Sequence, residues 1–213
     1  MQNVIIVGED PVTRQIIKKL LLEICPLGIQ ILREDPVRGS QIRQLAPNYN
    51  RLSASIPVIL LADLDQADCP LTEQAAWLLH QPRHANFMFR FAVDEAESWL
   101  LADRGGFAHF LGIDADLIPE ASAQRPREPL NLEIRLRYKT SLFLMRELAA
   151  HSTKAELKRQ LTPLDLRSKS GEYNTALLPF IDQHWDVQAA VQNSSSLQRM
   201  VRRLQEWCAQ SVN

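Results

Sequence analysis

Three carboxylates stand where apolar runs stop. Glu9 follows the apolar stretch of NVIIVGED, and Asp63 and Asp65 follow that of IPVILLADLD. Short Val/Ile/Leu runs bounded by turn residues read as buried parallel strands. In an open α/β sheet, ligands gather at the carboxyl ends of the strands. Carboxylates at two such ends therefore face one crevice. Alone they would repel one another and resist ionising together. A divalent cation removes that conflict, and an all-oxygen donor set selects Mg2+, Mn2+ or Ca2+. The competing reading is that Asp and Glu simply close strands in solvated turns, where such residues are common.

The elements that must position these groups follow from periodicity and punctuation. A first strand spans residues 3–7. Asp10 then serves as N-cap and Pro11 takes the tolerated first position of a helix running to residue 24. Ile16, Ile17, Leu20, Leu21 and Ile24 form its buried face. A second strand covers 28–32, a short helix 40–45, a third strand 58–62, a helix 71–80 and a fourth strand 87–93. Residues 95–102 read as helical, with Gly105 and Gly106 as an interruption before 107–111. The proline-rich stretch 119–129 is the candidate boundary. Beyond it the period is helical throughout: 130–150, 153–161, 172–191 and 194–209. The expected fold is thus α/β, with a parallel sheet of about four strands over residues 1–118 and an α-helical extension over 119–213. Trp99, Trp185 and Trp207 lie on apolar helical faces and read as core. His80 and His84 have ligand spacing, but Pro82 between them breaks the helix such a zinc site would need.

Length and composition narrow the function classes. The 213 residues are 46% hydrophobic, enough for a real core, and no apolar run approaches a membrane span of ~18 residues. No secretory signal pattern opens the chain, and Cys25, Cys69 and Cys208 are widely spaced without CxxC, which suits reduced thiols in a cytoplasm. The net charge of −1 conceals a gradient. Residues 1–124 sum to −6, 125–170 to +6 and 171–213 to −1. An acidic sheet edge followed by a basic segment suits metal and phosphate chemistry, and a solvated helix face explains the same segment.

With these residues in view, the chain resembles the Toprim fold of topoisomerases, primases and the overcoming-lysogenisation-defect nucleases. That fold carries a glutamate after its first strand and Asp-x-Asp after its third, matched here by Glu9 and by Asp63-Leu64-Asp65. The resemblance narrows to a Toprim-like bacterial family of domains of unknown function. The shared features are the turn Leu61, Asp63, Leu64, Asp65, Asp68, Cys69, Pro70 and the helix Glu97, Trp99, Leu100, Leu101, Ala102, Asp103. The segment Gly171, Tyr173, Asn174 follows, then Trp185, Ala190 and Ser196-Leu197. The usual first-strand end reads Glu-Gly, whereas this chain has Gly8-Glu9-Asp10, so Asp10 is the reserve ligand to Glu9.

The resemblance implies a metal-dependent nuclease. Glu9, Asp63 and Asp65 would hold one or two Mg2+ (or Mn2+) ions at a scissile phosphate. Glu97 matches the acidic residue that supports a second metal; its alternative is a favourable charge in a first helical turn. Lys139 resembles the lysine placed to stabilise the phosphate; its alternative is a surface lysine among Arg135, Arg137 and Arg146. The resemblance implies nucleic acid as partner, in phage defence or DNA processing, with room for an ATPase partner; no GxxxxGK[ST] motif occurs in this chain, so any such ATPase is a separate polypeptide. Two other readings stand beside it. VGEDPVTRQIIKKLL also resembles a response-regulator receiver, with Asp63 as phosphoacceptor, although a receiver needs a lysine after a fifth strand. The third is a non-catalytic Toprim-like binding or regulatory module.

Overall fold

The computed structural model describes residues 2–25, 28–37, 39–65, 67–123, 132–162, 165 and 169–211. These divide into two compact units: residues 1–92 with 199–213, and residues 93–198.

The first unit is built on a four-stranded parallel sheet of order β2-β1-β3-β4, comprising β1 (Gln2–Gly8), β2 (Ile29–Pro36), β3 (Val58–Asp63) and β4 (Phe87–Ala92). The α/β class with a parallel sheet is as expected, consistent with a Rossmann-like Toprim arrangement. β1 and β3 are buried over Val4–Val7 and Val58–Ala62, as strands covered on both faces must be. Helix α1 (Pro11–Ile24) starts where its signals place it: Asp10 Oδ1 accepts the Thr13 amide at 2.8 Å, and Ile16, Ile17, Leu20 and Leu21 are buried. Gly8 has a separate reason to lack a side chain, since a Cβ there would meet Thr13 and Arg14 side-chain carbons at 3.0 Å. Helix α2 (Ser40–Leu52) runs through Pro47 and is longer than the expected 40–45, while α3 (Pro70–Trp77) is shorter than 71–80. Leu79 and His80 have positive φ and end that helix before Pro82.

The second unit departs more from expectation. Gly105 and Gly106 do not interrupt; they lie in the first turn of α5 (Arg104–Leu111), which follows α4 (Glu97–Leu101). The expected helix over 130–150 is instead a strand and a later helix. β5 (Ala121–Ala123) pairs antiparallel with β6 (Leu132–Ile134), because that pairing satisfies the backbone of both where local propensity is neutral. Residues 124–131 lie outside the described residues. Helix α6 (Thr140–Phe143) then passes through a π-helical turn, Leu144–Leu148, into α7 (Ala149–His151). Further helices are α8 (Ala155–Leu161), α9 (Tyr173–Gln183) and α10 (Val187–Asn193). Helix α11 (Ser195–Ser211) is the last, and it begins in the second unit and ends in the first. The proline-rich stretch divides the chain by composition at 118/119; compactness divides it at 92/93 and 198/199.

Trp99 and Trp207 are buried on helical faces as expected; Trp185 is buried too, but it lies in the connection between α9 and α10 rather than on a helix. The thiol expectation is corrected: Cys25 and Cys208, 183 positions apart, form a disulfide between the end of α1 and α11, and Cys69 is free and exposed. Wide sequence spacing hid this pair, because its proximity comes from the last helix returning to the first unit. Among the described residues no helix is long and apolar enough to cross a membrane.

Candidate functional site

β1 and β3 are hydrogen-bonded neighbours in parallel, with Gly8 opposite Leu61. Their carboxyl ends therefore lie side by side: Glu9 is one residue past Gly8, and Asp63, the last residue of β3, is two residues past Leu61. Glu9 and Asp63 are half-buried and Asp65 is exposed. The turn after β3 is fixed by the Leu64 amide, which donates to Ala92 O at 2.9 Å, and by the burial of the Leu64 side chain. Asp65 follows in the left-handed region at φ 51°, a conformation that Asp tolerates better than most residues. Glu9 Oε1 accepts the Gly39 amide at 3.1 Å. Gly39 lies just past β2, on the side of β1 away from β3, so this bond turns the Glu9 carboxylate toward the β2 flank. Asp10 is engaged as helix cap through the Thr13 amide and hydroxyl. Among the described residues no three His, Cys, Asp or Glu side chains stand close enough to share a metal ion. The strand ends bring the three expected carboxylates to one edge without drawing them into one cluster.

Glu97 and Lys139 belong to the second unit, and neither pairs with the other. The Glu97 side chain is 2% exposed, and Lys169 Nζ donates to its Oε1 at 2.7 Å. Lys169 also stands over the Tyr173 ring, 4.8 Å from its centroid. Lys139 Nζ lies 3.7 Å from Glu95 Oε1, with its own side chain 45% exposed. Glu95 is buried and accepts the Ser141 amide at 2.7 Å. Burial, then the nearby Glu97 charge, pushes the Glu95 carboxyl above the ordinary range; Ser141 and Lys169 oppose this. Lys139 counts for less there because water screens an exposed ammonium. Asp94 precedes them at φ 66°, and its Oδ2 accepts both the amide at 2.9 Å and the hydroxyl of the buried Thr140.

This unit thus concentrates Asp94, Glu95 and Glu97 against two lysines and the amino end of α6. Sequence reasoning assigned Glu97 and Lys139 but gave no role to Glu95, Asp94 or Lys169. Three acids within four residues after a strand were the available signal. Lys169 falls in the segment shared with the resembled family, with Tyr173 and Asn174, but its pairing with Glu97, 72 positions away, had no signal in the sequence. Glu133 is another unassigned buried carboxylate, and its position has a structural explanation. It accepts from Ser194 Oγ at 2.7 Å and from the Ser196 amide at 2.6 Å, at the start of α11. Arg135 and Arg137 of the basic segment are exposed, and Arg146 lies half-buried over the Tyr138 ring.

Among solved structures, the chain is similar to the C-terminal region of the Burkholderia pseudomallei OLD protein. The identity is 16% over 99% of this chain and 98% of that one, with a TM-score of 0.42. No family model matches the chain, and no curated protein matches it.

Proposed function

We propose that this chain is a metal-dependent phosphodiester hydrolase acting on nucleic acid, with Glu9, Asp63 and Asp65 as the metal ligands. The observation that carries the reading is that adjacent parallel strands β1 and β3 end together with these acids at their exits. Ligand sites of open α/β sheets form at such edges. The donor chemistry fits a hard cation, being carboxylate oxygen throughout. Glu9 would exchange the Gly39 amide for the cation, giving up one charge-assisted hydrogen bond worth about 1.5–3 kcal/mol. Mg2+ or Mn2+ bound there would activate a water and offset charge on the scissile phosphate. Asp65 stands two residues past Asp63, in a left-handed turn.

Glu97 and Lys139, in the second unit, keep the roles that the sequence resemblance implies: support of a second metal and stabilisation of a phosphate oxygen. For Glu97 that role means giving up its bond to Lys169. Nucleic acid as partner, a separate ATPase and a cytoplasmic setting in phage defence or DNA processing belong to the same proposal.

Two measurements test it. Mg2+ or Mn2+ should raise the melting temperature of the wild-type chain, by the equivalent of about 2.7 kcal/mol at a hundredfold excess over Kd. Asp63→Ala should remove that gain. With Mn2+ and plasmid or single-stranded DNA, slow cutting should be lost in Glu9→Ala and Asp65→Ala. Equal metal response in wild type and Asp63→Ala, or stable phosphorylation of Asp63 by a small phosphodonor, would overturn the reading.

A further inference from the structure

A second charged centre lies in the first unit, on the edge strand and the last helix, and the mechanism above does not use it. β4 is an edge of the parallel sheet. Strand alternation puts Met88 and Arg90 on one face, and Phe87, Phe89 and Phe91 on the other, where Trp77 meets Phe89 and Phe91. On the Met88 side, Arg203 and Trp207 of α11 line a small cavity with Asn86 and Met88. Arg203 Nη2 donates to Ala85 O at 3.3 Å, fixing α11 against the approach to β4. Arg199 stands one helical turn before Arg203, so both occupy one row of α11. Arg83 is exposed in the segment leading into β4.

Three of these guanidinium groups act on the fourth, Arg90, and Arg203 also acts on Arg83. Arg90 is pushed down to about 10, first by burial and then by Arg83, Arg203 and Arg199, with Glu206 opposing. Glu206 is itself shared by Arg202 and Arg203. Arg90 Nη1 donates to Phe89 O at 3.1 Å, whereas its Nε–H is buried and has no hydrogen-bond partner among the described residues. A buried guanidinium N–H is costly to leave unsatisfied. An anion with several acceptor oxygens relieves the crowding of positive charge, and phosphate matches the planar fork of arginine best.

We infer that Arg83, Arg90, Arg199 and Arg203 form a phosphate-binding site on the β4 edge that holds the backbone of a nucleic-acid strand. The choice of a nucleic-acid strand rests on the function proposed above; the phosphate chemistry does not. The experiment measures binding of a labelled single-stranded oligonucleotide in EDTA, where no metal-dependent cutting occurs. Arg83→Gln/Arg199→Gln alters two exposed positions and should melt like wild type. It should bind about tenfold or more weakly, with the slope of log affinity against log salt reduced by about 1.4. Arg90→Gln should weaken binding too, and a fall in its melting temperature would separate misfolding from lost contact. Inorganic phosphate should raise the melting temperature of wild type more than that of the double variant. Oligonucleotide affinity and salt slope unchanged in the double variant would overturn the inference. Loss of the phosphate response alone would also overturn it as a nucleic-acid site, leaving a site for free phosphate. Asp63→Ala should bind the oligonucleotide as wild type does, so failure of the metal reading and failure of this one are told apart.

Discussion

Glu95 shows how one residue can set a pH dependence for the second unit. Its folded carboxyl holds a proton to higher pH than the ordinary value of 4.5, because burial and the Glu97 charge disfavour ionisation. The unfolded chain releases that proton near 4.5. From there up to the raised value the folded state binds more protons, so unfolding free energy falls as pH rises through the window. Below 4.5 the contribution is fully favourable. Glu95→Gln keeps a carbonyl for the Ser141 amide and cannot ionise. Urea melts of that variant between about pH 4.5 and 7 should show a flatter pH slope than wild type. An identical slope would mean that Glu95 ionises normally. The same crowding explains why Lys169 is held so closely: a carboxylate as buried as Glu97 needs a cation, and losing one partner of such a pair costs about 3 kcal/mol or more.

At the scale of elements, the start of α5 joins two helices through one side chain. Asp103 is buried; its Oδ1 accepts the Gly106 amide at 3.0 Å and its Oδ2 accepts the Asp186 amide at 2.9 Å, at the head of α10. Gly106 is required there, since a Cβ would lie 2.2 Å from Asp103 Oδ2. Asp103→Ala should cost about 2–3 kcal/mol, from a lost cap and an orphaned amide, and Asp103→Asn clearly less. Chemical denaturation would show the order; equal loss in both would point to the charge rather than the cap.

The same helix marks where the sequence could be read and where it could not. Glycines signal a break unless a cap consumes them, and the Asp103 bonds are invisible without the fold. Strands β1, β3 and β4 and helix α1 were legible because each carries its own period and stop signal. β6 was not, since three residues gain strand character only from pairing with β5. At the site, Glu9, Asp63 and Asp65 were legible as strand-end acids. The turn of Glu9 toward Gly39 and the Glu97–Lys169 pair were not, because both depend on contacts 30 and 72 positions apart.

For the molecule as a whole, chain order makes the second unit an insertion: residues 93–198 interrupt a first unit completed by residues 199–213. The Cys25–Cys208 bond lies within that first unit and closes over the entire insertion. Closing a loop of this length removes unfolded-state entropy worth about 5 kcal/mol in the chain-entropy picture. A second effect concerns covalent topology. One backbone cut anywhere between residues 26 and 207 leaves every atom still joined in one molecule. Limited proteolysis of the oxidised chain should therefore give a nicked product that migrates as one species on a denaturing gel without reductant and falls into two with it. Fragments separating without reductant would show the ring to be open.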